Sequence, residues 1–229
     1  MCIRDRVNAP EGNRNAVGEQ ALGMLLAIMN RLKSGHNSIQ SGEWDREGHR
    51  GWELSGRTVG IIGYGHTGKS FARRISGFDV RTLCYDILED IGDDYARQVD
   101  WETLQSQSEV ISLHIPQTDL TKGMINKEFI DAMSHPFWLL NTARGSVVVT
   151  QDLVEGLQSQ KIMGAGLDVL EYETQSFSSI FSHESQPPAL QYLMEAENVL
   201  LSPHVAGWTR ESYLKLATTI VEKVKNIFS

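Results

Sequence analysis

Cysteine is nearly absent. Only Cys2 and Cys84 occur in 229 residues, far apart and in no Cys-x-x-Cys pattern, which excludes a disulfide framework and a zinc knuckle. Long apolar runs are lacking too. The longest, residues 21–29, is interrupted by Gly23 and falls far short of the ~20 residues that cross a bilayer. The opening residues, MCIRDRV, are charged and lack the apolar stretch of a secretory leader. Positive charge is not in excess: 21 Lys and Arg stand against 29 Asp and Glu, a net charge of −8. A general nucleic-acid binder would show a basic patch or a high isoelectric point. No His-Glu-x-x-His, calcium loop or Cys/His cluster occurs, so no metal is expected. What is there is ordinary globular composition, 41% hydrophobic and 22% charged. The expectation is a soluble cytoplasmic protein with no nucleic-acid or membrane partner, large enough to bury a core without cross-links.

The apolar pattern predicts a helix over 16–32 with two stripes, Val17, Ala21, Met24, Ile28 and Leu32 beside Leu22, Leu25 and Met29. So wide an arc implies burial on more than one side, in a core or a subunit interface. Residues 35–56 are polar and glycine-rich and read as an extended connection anchored by Trp44 and Trp52. Strands are expected at 58–62, 80–85, 110–115, 137–140, 162–167 and 199–201. Helices are expected at 69–76, at 101–105 after an Asp100 cap, from an Asn126 cap through Met133, and from a Thr150 cap through Leu157. Residues 171–198 read as a long connection with a helical turn near 190–194. Residues 211–228 read as an amphipathic helix presenting Tyr213, Ala217, Ile220, Val224 and Ile227. Strands alternating with helices imply an α/β fold, a doubly wound parallel sheet covered on both faces.

The sharpest motif follows the first strand. In VGIIGYGHTGKSFARRI, residues 59–75, Gly63, Gly65 and Gly68 form Gly-x-Gly-x-x-Gly at the opening of a helix. The first glycine allows a tight turn, the second lets a pyrophosphate approach the backbone, and the third lets the helix pack close to the strand. Unbonded N–H groups at a helix start favour an anion. The second strand ends at Asp86, about twenty residues on, where an acid accepts from the adenosine ribose hydroxyls and repels a 2′-phosphate. This predicts a Rossmann domain that prefers NAD to NADP.

Beyond that turn, six segments stand in order: NAPEGNRNAVGEQALGMLLA (8–27), ELSGRTVGIIGYGHTG (53–68), SLHIPQTDLTKGMIN (112–126), LLNTARGSVV (139–148), GAGLDVLEYE (164–173) and LSPHVAGWT (201–209). Together they resemble the D-isomer-specific 2-hydroxyacid dehydrogenase family, which includes the phosphoglycerate dehydrogenases. The resemblance implies an NAD-binding Rossmann domain over 7–209 with 16–32 as its interface helix, and a homodimer. Residues 1–6 fit no part of the pattern. Residues 210–229 would be the last helix of a substrate lobe whose N-terminal part the chain lacks, leaving that helix an orphan. Thr67 stands where the family has an apolar residue, Thr174 where it has proline, and Ser134, His135 and Pro136 replace a Lys-Pro-Gly type turn.

Oxidation of a 2-hydroxy acid requires a base for the hydroxyl proton, a cation for the carboxylate and a hydride acceptor in contact. His204 is the candidate base, an imidazole suited to proton transfer near neutrality. Glu173 is its candidate carboxylate partner, and Arg144 the candidate anchor, its planar fork matching a carboxylate. All three match the family's arginine, glutamate and histidine. The resemblance further implies cofactor contacts at His66 and Thr67 in the turn, His114 after the third strand, Thr142 and Ala143 beside Arg144, Asp168 near the nicotinamide amide, and His204, Ala206 and Gly207. His36, His49, His135 and His183 join no constellation. The implied reaction is hydride transfer between NAD and a D-2-hydroxy acid or its 2-oxo counterpart, 3-phosphoglycerate among the possible substrates. Two alternatives stay open: a nucleotide-binding piece without turnover, and an NAD-sensing corepressor-like regulator. Formate dehydrogenases are close relatives, but they predict glutamine at position 173.

Overall fold

The computed structural model describes residues 8–173 and 187–228. Residues 1–6, and with them Cys2, lie outside these, as do Thr174 and His183. The chain opens with α1 (Arg14–Met29) and α2 (Leu32–Gln40), then β1 (Thr58–Ile62), α3 (His66–Ile75), β2 (Arg81–Tyr85) and β3 (Arg97–Gln98). There follow α4 (Trp101–Gln107), β4 (Val110–Leu113), α5 (Lys127–Ala132), β5 (Phe137–Asn141), α6 (Thr150–Gln158) and β6 (Ile162–Leu167). The last elements are α7 (Pro188–Glu195), β7 (Val199–Leu201) and α8 (Arg210–Phe228).

The seven strands form one parallel sheet in the order β3-β2-β1-β4-β5-β6-β7. This is the doubly wound Rossmann arrangement expected, and β1 and β4 flank the point where strand order reverses. Alternate strand residues serve opposite faces. Val59, Ile61 and Leu140 pack under Met24, Leu25, Phe71 and Ile75 of α1 and α3. Ile62, Ile111 and Leu139 pack under Leu104, Phe129, Leu153 and Leu193 of α4–α7. Each such side chain contributes roughly 1.5–3 kcal/mol on burial. Because helices cover both faces, β4 and β5 are buried throughout, Ser112 and Asn141 included, and their sequences are mostly apolar without alternation.

Register sets up the functional edge. Tyr85, Ile62, Leu113, Asn141, Leu167 and Leu201 are successive cross-strand partners. The residues next in chain, Asp86, Gly63, His114, Thr142, Asp168 and Ser202, therefore leave the sheet side by side at its carboxyl edge.

Several expectations are corrected. Residues 35–56 are not extended throughout, because α2 occupies their first part. Arg31, in the left-handed region at φ 52°, ends α1 and lets a second helix start. That helix buries only Ser34, so its polar sequence carried no apolar signal. Trp44 is 86% exposed and anchors nothing, whereas Trp52 packs edge-on against Trp138 at 5.6 Å. Leu32 falls outside α1 and is exposed. Within the chain α1 buries one side only, leaving Gly23 exposed and Leu22 and Leu26 half-buried. The helix expected at 69–76 begins three residues earlier, inside the glycine turn. Thr150 does not cap α6; its backbone N–H instead donates to the Glu171 carboxylate at 2.9 Å. The short β3 passed unseen, being two residues long. On α8 it is Ser212 and Leu216 that face the body, and Lys223 Nζ donates to the Asn8 carbonyl at 2.9 Å. By contrast, the exposure of Tyr213, Val224 and Ile227 is no departure, since the apolar face of an orphan helix is expected to be presented and not packed.

Candidate functional site

At the sheet's carboxyl edge lies a cavity of about 920 Å³. Ten of the residues singled out from sequence line it: His66, Thr67, His114, Thr142, Ala143, Arg144, Asp168, His204, Ala206 and Gly207.

The glycine turn forms one wall. Gly63 has φ +89°, and a side chain there would sit 2.6 Å from the His114 carbonyl oxygen. A side chain at Gly68 would overlap the Gly63 carbonyl, so α3 can close on β1 only with glycine at this place. Above Gly65 there is open space, and α3 begins at the next residue with no side-chain cap. Asp86 stands beside the turn but does not line the cavity. Its carboxylate accepts the Tyr64 N–H at 2.7 Å and the Leu88 N–H at 3.1 Å, one on each oxygen. A carboxylate has about four acceptor positions, so capacity for ribose hydroxyls remains.

Asn141, buried at the end of β5, shapes the next turn. Its side chain accepts from Ala143 N–H at 3.1 Å and donates to the Arg144 carbonyl at 3.0 Å. Arg144 lines the cavity, one Nη donating to the Ala143 carbonyl at 2.6 Å. His114 is partly buried, and loss of hydration pushes its pKa down to about 3, so the imidazole is neutral. Its Nε2 pairs with Ser112 Oγ at 2.8 Å. His114 Nδ1 and Thr142 Oγ1 are buried and have no hydrogen-bond partner among the described residues.

The histidine loop is held by two carboxylates. Asp168, 1% exposed, accepts from Ser202 Oγ at 2.5 Å, Val205 N–H at 2.9 Å and Ala206 N–H at 2.8 Å. Its own carbonyl accepts the His204 N–H at 2.8 Å. These bonds hold His204 at φ 56°, a conformation unusual for a residue with a side chain. Glu173 lies behind the histidine and not on the cavity wall. Its Oε2 is 2.8 Å from His204 Nδ1, and its Oε1 accepts the Leu170 N–H at 2.7 Å. A carboxylate only accepts, so Nδ1 is the donor of this pair.

Residues 22–206 match the family model of the D-isomer specific 2-hydroxyacid dehydrogenase, NAD binding domain. The chain belongs to this family. Among curated proteins, the D-3-phosphoglycerate dehydrogenase of Archaeoglobus fulgidus is 33% identical over 228 residues, 96% of this chain and 40% of that protein. The hydroxypyruvate reductase of Thermotoga maritima is 33% identical over 221 residues, 95% of this chain and 68% of that protein. Among solved structures, D-lactate dehydrogenase from Aquifex aeolicus complexed with NAD and lactic acid superposes with a TM-score of 0.82 at 31% identity, covering 94% of this chain and 66% of that one. The chain thus spans between two fifths and about two thirds of these relatives.

The residues present fit a dinucleotide. The open backbone at Gly65 and the unbonded Thr142 hydroxyl are the features such a ligand would use. Sequence reasoning missed part of the lining. Ile115 and Pro116 follow β4, and Pro203 and Val205 flank the histidine; they fall inside the family-like segments 112–126 and 201–209 but were not singled out within them. Asn13, Val17 and Leu216 also line the cavity. They arrive from the N-terminal segment and α8, which only the tertiary fold brings there.

Proposed function

We propose that the chain is the cofactor-binding and proton-transferring part of an NAD-dependent oxidoreductase acting on the CH–OH group of D-2-hydroxy acids and on the matching 2-oxo acids. The observation that carries this is the 2.8 Å pair between His204 Nδ1 and Glu173 Oε2, set behind a cavity that Arg144 and the glycine turn also border. Gly63, Gly65, His66, Thr67 and Gly68 form the pyrophosphate wall, Asp86 faces the adenosine ribose, and His114, Thr142, Ala143, Asp168, Ala206 and Gly207 surround the nicotinamide end. NAD, when bound, supplies the hydride acceptor or donor. Arg144 pairs its guanidinium with the substrate carboxylate. His204 Nε2 takes the hydroxyl proton in the oxidising direction and returns one to the carbonyl oxygen in the reducing direction. Glu173 orients the ring through Nδ1. The names of the relatives point to a class of 2-hydroxy and 2-oxo acids, 3-phosphoglycerate included. The reading includes a cytoplasmic location and a homodimer, the second supported by the half-buried Leu22 and Leu26 beside exposed Gly23 on the outer side of α1. Among the described residues no helix is long and apolar enough to cross a membrane.

The test is a titration of the chain with NADH and NADPH by nicotinamide fluorescence, followed by assay with the two enantiomers of several 2-hydroxy acids. Tight NADH binding by the chain is expected and, in a chain extended to the length of its relatives, turnover of D-enantiomers and a loss of roughly 10²–10⁴ in turnover with NADH affinity kept in His204→Ala. Binding without any turnover favours the nucleotide-binding or NAD-sensing alternative. A chain that does not bind NADH overturns the reading.

A further inference from the structure

The middle residue of the glycine turn is a tyrosine, and its side chain is 1% exposed. Tyr64 makes two bonds to the loop that leaves β2. Its backbone N–H donates to Asp86 Oδ2 at 2.7 Å, at the start of that loop. Its phenol donates to Asp93 Oδ1 at 2.6 Å, at the loop's end. One residue therefore spans the loop from both sides. Asp93 is itself fixed: Oδ1 also accepts the Tyr95 N–H at 2.9 Å, and its backbone N–H donates to the Ala96 carbonyl at 3.1 Å. Lys69, on the first turns of α3, lies 3.7 Å from Asp93 Oδ2 and 5.3 Å above the Tyr64 ring. Burial and the bond to Asp93 hold the Tyr64 phenol well above its ordinary range, so it is always a donor. Burial opposes the charge on Asp93, but the bonds from Tyr64 and Tyr95, with Lys69, keep its carboxyl below the usual range. The middle of the loop is held separately by Gln98 of β3, which accepts from Ile91 N–H at 2.9 Å and donates to the Leu88 carbonyl at 2.6 Å. Ile87 and Leu88 are exposed.

We propose that Tyr64 is a positioning residue for cofactor recognition: its phenol clasps Asp93 and so holds residues 86–93, with the Asp86 carboxylate, in register with the glycine turn. The chemistry is specific. Removing the phenol oxygen leaves the Asp86 bond to the backbone and the bonds of Asp93 to Tyr95 and Ala96 intact, and cuts only the link between the far end of the loop and the glycine turn. The adenosine half of a dinucleotide meets that loop, whereas the nicotinamide half lies across the sheet near His204. The inference rests on the NAD reading of the site. A loosened loop must then weaken dinucleotides and spare mononucleotides.

The experiment compares the wild-type chain with Tyr64→Phe, Asp93→Ala, Asp93→Asn and the Tyr64→Phe/Asp93→Ala double variant. NADH and reduced nicotinamide mononucleotide, which lacks the adenosine half, are titrated by fluorescence. Amide hydrogen exchange over 87–92 is followed with no nucleotide present. Tyr64→Phe is expected to bind NADH about tenfold more weakly, to bind the mononucleotide unchanged, and to exchange faster over 87–92. Asp93→Ala should reproduce this, and the double variant should add nothing further. Asp93→Asn, which still accepts from the phenol, should stay near wild type. A Tyr64→Phe chain that binds NADH like wild type, or that loses both ligands equally, overturns the proposal. A wild-type chain that binds no NADH overturns the functional reading instead, a separate result.

Discussion

The glycine turn at 63–68 and the histidine loop at 202–207 stand at the same edge of the sheet but are held by opposite means. The turn is shaped by absent side chains: Gly63 at φ +89° and Gly68 against the Gly63 carbonyl let α3 close on β1. The loop is shaped by carboxylates from elsewhere. Asp168 takes three bonds from it and Glu173 takes the ring of His204, while His204 sits at φ 56° without being glycine. A binding turn must offer bare backbone to an anion, so local sequence can specify it. A proton-transfer group must be aimed, so it needs side chains that converge from several strands.

The loop is the more breakable of the two. Asp168→Ala would leave the Ser202 hydroxyl and two backbone N–H groups without their acceptor. A loss of about 2–5 kcal/mol in urea-unfolding stability is expected, with turnover falling because His204 loses its place. Unchanged stability would show that the loop does not depend on Asp168. For the turn, the contrast lies between two glycines. Gly68→Val should cost about 3 kcal/mol or more, since backbone must move. Gly65→Ala enters open space at φ −82°, so stability should hold, while NADH affinity falls at least about tenfold as the methyl meets the pyrophosphate. Equal losses of stability in the two variants would erase the distinction between packing glycine and binding glycine.

A smaller effect tests the rim. Asp86→Ala should narrow the preference for NADH over NADPH by about tenfold, through loss of repulsion to the 2′-phosphate. Equal affinity for the two in the unmutated chain would remove Asp86 from the site. The smallest effect concerns pH. In the unfolded chain an imidazole takes a proton below about 6.5, whereas His114 in the fold resists protonation until about 3. Between these values the unfolded state binds more protons, so stability falls as pH falls. His114→Asn should therefore lose a few degrees less in melting temperature than wild type between pH 7 and pH 4. Identical slopes would mean that His114 is hydrated in the folded state.

Much of the sheet was legible because its strands are buried on both faces and read as apolar runs. The bounds of β1, β6 and β7 agree with expectation to the residue. The caps at Asp100 and Asn126 were legible because each accepts a bond three residues on, a local rule. The helix α2 was not, because it buries only Ser34 and is short and mostly polar, so that Leu32 and Ile39 mark no packed face. Thr150 misled for a related reason: the acceptor at that helix start is Glu171, more than one helix and strand away in the chain.

The sequence by itself determined the doubly wound class and the glycine turn, because apolar period and glycine spacing are local properties; Arg144, Glu173 and His204 were singled out together only through the resemblance to a family. Tertiary structure alone decided that Asp86, Gly63, His114, Thr142, Asp168 and Ser202 leave the sheet in one row, since register is a relation between strands. It also decided that Asp168 spends its carboxylate on the histidine loop, that Asn13 and Leu216 close the cavity, and that Tyr64 reaches Asp93. Hydrogen bonds between distant segments depend on which backbones the fold brings within about 3 Å, and no single stretch of chain encodes that distance.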